Sequence, residues 1–196
     1  DSDASYLSET KSRSTAGGYH YVSNKTTPNN PTPPLNGAIL VLWQILKEIV
    51  ASASEAELAA LFNNCRDACP LRITLEELGH MQPATPIKTD NSTAAGIIND
   101  TVKQKRSKAI DMRFYWVQDR VRLGQFLVYW HPGINNLSNY HTKHHPASHH
   151  HRMCTHFLPP SLTHICRCPP PPPSTPHSFP LHLSHTHHHH TPILPH

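Results

Sequence analysis

Three carboxylates, Asp3, Glu57 and Asp90, are the side chains whose types and positions could do chemistry. Asp3 falls on a first strand, Glu57 near the start of a long helix, and Asp90 at the C-terminal end of a middle strand. Ligand sites in open α/β sheets gather at the carboxyl ends of strands. Carboxylate oxygens suit hard divalent cations such as Mg2+. A pair of such ions can activate a water and stabilise the leaving oxygen of a phosphodiester. Spacing alone leaves open that the three are separate surface or capping carboxylates. Glu55 competes with Glu57, because residues two apart on a helix lie about 200° apart and only one can face a site.

The elements that must carry these residues are legible from pattern. Tyr19 to Ser23 alternates as a strand does, and Gly17-Gly18 before it reads as the turn that opens it. Residues 24–36, rich in Pro, Asn and Thr, form a loop or wide turn. The nearly continuous apolar run at 37–46 predicts a buried strand. Ser52 or Ser54 can cap a helix with Glu55 and Glu57 in its first turns. That helix carries Leu58, Leu61, Phe62, Cys65 and Cys69 at helical spacing; Pro70 is expected to kink or divide it, and Gly79 to end it. A short strand at 85–89 opens onto Asp90, followed by helices at 92–99 and 107–123, a strand at 125–130 and a last short helix at 136–143. Strands first, then helix and strand in alternation, predict an α/β fold: a mixed sheet flanked by helices.

Composition divides the chain in two. All 13 acidic residues lie at or before Asp119, whereas 16 of the 19 histidines lie at or after His141. From residue 146 to 196 the sequence is a His/Pro-rich low-complexity tail with five consecutive prolines, expected to be disordered. The run His187 to His190 could bind Zn2+ or Ni2+ weakly. The net charge of +4 permits a nucleic-acid partner without requiring one. Five cysteines show no disulfide framework and no zinc spacing, which favours a reducing compartment. The absence of an initiating Met or an apolar leader reads as a fragment of something longer with no secretion signal. The most apolar run is too short to span a bilayer, so no membrane partner is expected.

Several segments resemble, in order and spacing, the ribonuclease H domain of copia-type LTR retrotransposons. They are Ser2-Asp3-Ala4-Ser5-Tyr6, Ser52-Ala53-Ser54-Glu55-Ala56-Glu57-Leu58 and Thr89-Asp90-Asn91-Ser92-Thr93-Ala94. Arg106-Ser107-Lys108-Ala109-Ile110-Asp111-Met112-Arg113 resembles the family's R-[ST]-K-x-[IM]-D-[IM]-R box. Tyr129 to Lys143 resembles its closing segment, which ends in x-N-L-A-D-x-x-T-K. The likeness covers nearly all of residues 1–145, the expected N-terminally truncated ribonuclease H-like domain. It implies that Asp3, Glu57 and Asp90 are three of four metal ligands for two ions, Mg2+ or Mn2+. The fourth falls at Asn139, an amide where the family has an acid, which weakens the expected catalysis. His131 matches the loop histidine that assists turnover in the wider ribonuclease H group; an ordinary exposed loop histidine is the plainer alternative. The implied partners are an RNA–DNA hybrid and a reverse transcriptase domain upstream in the same Pol polyprotein. The implied location is a retrotransposon particle in the cytoplasm or nucleus.

Lys103, Lys105, Arg106, Lys108 and Arg113 form a basic stretch that could contact phosphates, although most charge runs are solvated helix faces. Three functions follow as expectations. They are a metal-dependent nuclease cutting RNA in RNA–DNA hybrids, a catalytically degenerate remnant that binds nucleic acid only, and an unrelated His-rich metal-binding protein.

Overall fold

Strand β1 (Ser2–Glu9), strand β2 (Arg13–Tyr21) and strand β3 (Ala38–Ile45) form an antiparallel meander in the order β1-β2-β3. The computed structural model describes residues 1–23, 36–102 and 112–157. Helix α1 (Ala53–Glu77) follows, then β4 (Thr85–Thr89), α2 (Ser92–Ile98), α3 (Met112–Arg122), β5 (Phe126–Trp130), α4 (Asn139–Thr142) and α5 (Ala147–Phe157). Strands β4 and β5 pair in parallel. The architecture is mixed α/β, and the described residues all lie within one unit, Asp1–Cys166. None of its helices is long and apolar enough to cross a membrane, among the described residues.

Helix α1 holds the two sheets together because it is apolar on two sides. Ala56, Ala59 and Ala60 lie against Ala16, Leu42 and Leu46 of the antiparallel sheet. Leu58, Leu61 and Cys65 pack with Ile87 of β4, Val128 and Phe126 of β5, and apolar residues of α2 and α3. Small residues face the meander, so helix and strands approach closely, while larger ones fill the wider space beneath the parallel pair. Ser52 caps the helix by accepting a 3.2 Å hydrogen bond from the Glu55 backbone N–H. At the other end Gly79 takes φ +88°, and the N–H groups of Gly79 and His80 donate to the carbonyls of Glu76 and Leu75. This is a glycine-terminated left-handed cap.

Four sequence expectations change. Gly17 and Gly18 lie inside β2 rather than in a turn before it. Successive strand residues face opposite sides, so each glycine admits a different helix. A Cβ on Gly17 would meet Thr142 Cγ2 of α4 at 2.5 Å, and one on Gly18 would meet Asn64 Oδ1 of α1 at 1.8 Å. Helix α1 also runs through Pro70 without dividing, with Pro70 itself on the exposed side. Among the described residues strand β3 is an edge, not a buried strand: Leu42 is buried, but Ile39, Val41, Trp43 and Ile45 on its other face are exposed. Finally, residues 147–157 are helical rather than structureless. Met153 is buried, and the Phe157 ring lies 4.8 Å from Tyr140 and 5.1 Å from Tyr19. Two apolar residues one helical turn apart suffice to dock a short helix whose other positions are polar. The remainder of the tail, from 158, lies outside the described residues, as do residues 24–35.

Candidate metal centre

Between β1 and β4 the expected single mixed sheet is interrupted. The two strands lie side by side, but no backbone ladder joins them among the described residues. Side chains occupy the seam instead. Glu57, reaching from the first turns of α1, accepts the Ala4 backbone N–H at 3.1 Å and the Thr89 hydroxyl at 3.3 Å. Asn136 donates its amide N–H to the Ser2 carbonyl at 2.8 Å. Lys88 of β4 pairs with the Asp1 carboxylate at 3.0 Å. The strand edge is therefore satisfied by side chains, one of which is a carboxylate.

Asp3 on β1 and Asp90, immediately after β4, complete the cluster. One carboxylate oxygen from each of Asp3, Glu57 and Asp90 lies within 4.8 Å of the others. Asp3 and Glu57 are buried and Asp90 is partly open. Gly133, in the turn after β5, lets that loop close on Asp90, because a Cβ there would fall 2.4 Å from Asp90 Oδ2. The Trp130 indole N–H donates to the Asp90 carbonyl at 3.0 Å. Glu55, the competitor of Glu57, accepts the Ala51 N–H at 2.8 Å at the helix start instead.

The electrostatics follow from burial and from crowding of like charges. Desolvation, then the nearby charges of Asp3 and Asp90, push Glu57 up to about 8. Desolvation raises Asp3 to about 6 against the opposing pull of the Thr142 hydroxyl and Lys143. Thr142 donates to Asp3 Oδ2, whereas Asp3 Oδ1 is buried with no hydrogen-bond donor. An all-oxygen donor set with a buried oxygen that accepts no hydrogen bond fits a hard divalent cation. Among the described residues it is also the one group of three or more His, Cys, Asp or Glu side chains close enough to hold a metal ion.

Asn139 stands beside the cluster on α4. Its amide donates to the Gly133 carbonyl at 2.6 Å, and its Oδ1 accepts from Lys143 at 2.5 Å. His131 directly follows β5; its backbone N–H donates to the Thr89 carbonyl at 2.9 Å, and its ring nitrogen lies 3.3 Å from the Pro132 carbonyl. Arg113 turns toward the protein, 3.0 Å from the Glu48 carboxylate and over the Phe62 ring. Lys103, Lys105, Arg106 and Lys108 lie outside the described residues, as do His187 to His190. Sequence reasoning gave no role to Thr89, Gly133, Asn136, Thr142 or Lys143. All but Thr89 fall within the closing segment already singled out, but only the folded geometry shows which of its residues touch Asp3.

No protein-family model matches the sequence. Among solved structures, the chain is similar to the N-terminal RNase H domain of Rv2228c from Mycobacterium tuberculosis, determined as a fusion with maltose-binding protein. The identity is 14%, the TM-score is 0.44, and the match covers 72% of this chain and 87% of that one.

Proposed function

We propose that this chain is a ribonuclease H-like nuclease that hydrolyses the RNA strand of an RNA–DNA hybrid, using Mg2+ or Mn2+ held by Asp3, Glu57 and Asp90. Its motif order points to the Pol polyprotein of a copia-type LTR retrotransposon, with a reverse transcriptase upstream, acting within the element's intracellular particle. One observation carries the nuclease reading: three carboxylates distant in sequence meet within 4.8 Å, one presenting a buried oxygen that lacks a donor. A bound ion would supply an activated water and offset charge on the phosphodiester. The protein's part is positioning. Glu57 is fixed by two donors and Asp3 by the Thr142 hydroxyl. Asp90, the least buried of the three, leaves the side toward solvent open to a backbone phosphate. His131, which directly follows β5, is assigned proton transfer during turnover, and Lys103, Lys105, Arg106 and Lys108 are assigned phosphate contacts, Arg113 being already paired with Glu48.

A second reading is favoured by Asn139. A neutral amide already bound to Lys143 supplies no charge to a metal pair, as in a remnant that binds hybrid without cutting it. Cleavage of a labelled RNA–DNA hybrid with Mg2+ or Mn2+ decides between them. The nuclease reading expects RNA-strand cleavage that Asp3→Asn abolishes. Hybrid binding without cleavage, with activity appearing in Asn139→Asp, establishes the degenerate reading. A chain that neither binds nor cuts hybrid overturns both.

A further inference from the structure

Lys143 lies at the end of α4, one turn beyond Asn139, and touches both sides of the cluster. Its ammonium is 2.5 Å from Asn139 Oδ1 and 3.8 Å from Asp3 Oδ1, the buried oxygen with no hydrogen-bond donor. The neighbouring Thr142 holds Asp3's other oxygen. The end of α4 thus gives Asp3 one hydroxyl and one positive charge. Asn139 cannot turn freely to meet an ion, because its amide N–H is held by Gly133 while its oxygen is held by Lys143.

We infer that Lys143 is the second cation of this centre: the chain takes one divalent ion among Asp3, Glu57 and Asp90, and the Lys143 ammonium, between Asp3 and Asn139, supplies the positive charge that a second ion would otherwise bring. This rests on the metal-site reading above. Charge balance supports it. Three carboxylates are matched by one divalent ion plus one ammonium. A second divalent ion would sit against a neutral amide and a like-charged neighbour, with desolvation uncompensated. Lys143 is then a positioning residue, fixing the charge and rotamer of Asp3 without touching substrate.

The test is Mn2+ binding to the full chain, followed by calorimetry and by the electron paramagnetic resonance of free Mn2+. Binding by the His-rich segments is removed by subtracting an Asp3→Asn/Glu57→Gln variant, and thermal unfolding checks that each variant is folded. The expected difference is one ion per chain. Lys143→Met should tighten that ion about tenfold, since a like charge is removed, and Lys143→Arg should leave it unchanged. Asn139→Asp/Lys143→Met should bind two. A purely structural lysine would instead weaken the ion when removed, and that result overturns the inference. Two ions on the unaltered chain also overturn it while leaving the metal site standing. No ion on the unaltered chain or the double variant removes both the inference and the metal site beneath it.

Discussion

Glu57 is a carboxylate used as a structural joint, and burial beside Asp3 and Asp90 raises its pKa although the joint's own hydrogen bonds from Ala4 and Thr89 pull it down. Its folded value of about 8 lies above the ordinary 4.5, so the folded chain binds this proton more tightly than the unfolded chain does. Without metal, the stabilisation from protonated Glu57 is present in full below about pH 4.5 and is lost as pH rises toward about 8. Asp3 adds the same sign between 3.8 and about 6. The urea midpoint of the metal-free chain should therefore fall across this window, by at least about 1 kcal/mol in stability. Glu57→Gln should flatten the fall, and added Mn2+ should restore stability at the alkaline end. A midpoint that rises with pH in EDTA would contradict the assignment. On the proposed metal-site reading, Asp3→Asn removes a ligand rather than a supporting contact, so its divalent affinity should drop by more than about a hundredfold in a Mn2+ titration.

Among elements, β2 decides how the site is assembled. Its two adjacent glycines receive α4 on one face and α1 on the other. Gly17→Ala should push α4 off the sheet, separate Thr142 from Asp3, and weaken Mn2+ binding together with stability, by about 1–3 kcal/mol. Binding that survives such a loss of stability would show that α4 does not hold the site. In α1, Pro70 is exposed and lacks a donor for the helix ladder. Pro70→Ala should raise stability by about 2 kcal/mol in urea unfolding. These elements also show what the sequence could reveal. The helix at α1, the strand at β4 and its opening onto Asp90 are local patterns of period, cap and breaker, and they were legible as such. The glycines were not, because a Gly-Gly pair looks the same in a turn and between two packed helices. The seam was invisible for a related reason: which donors Glu57 satisfies depends on strands that are 32 and 53 residues away in sequence. Helix α5 escaped because two apolar anchors in a histidine-rich stretch make no visible period.

For the whole molecule, helical structure reaches further along the chain than composition suggests, to Phe157. Phe157 stacks on Tyr140 of α4 and meets Tyr19 of β2, so α5 braces the helix that touches Asp3. A chain ending at residue 145 should melt lower than one ending at 157, by several degrees for each ~1 kcal/mol lost, and equal melting temperatures would make α5 dispensable. The seam between β1 and β4 has a different consequence, for which positions can decay. Glu57 stitches one strand to another, so a small apolar replacement there would leave the Ala4 amide without its acceptor and part the sheets. Asn139 stitches nothing across that seam. A saturation screen scored for folding alone should therefore reject most replacements at Glu57 while accepting many at Asn139, so that the architecture by itself guards position 57 and leaves position 139 open to change.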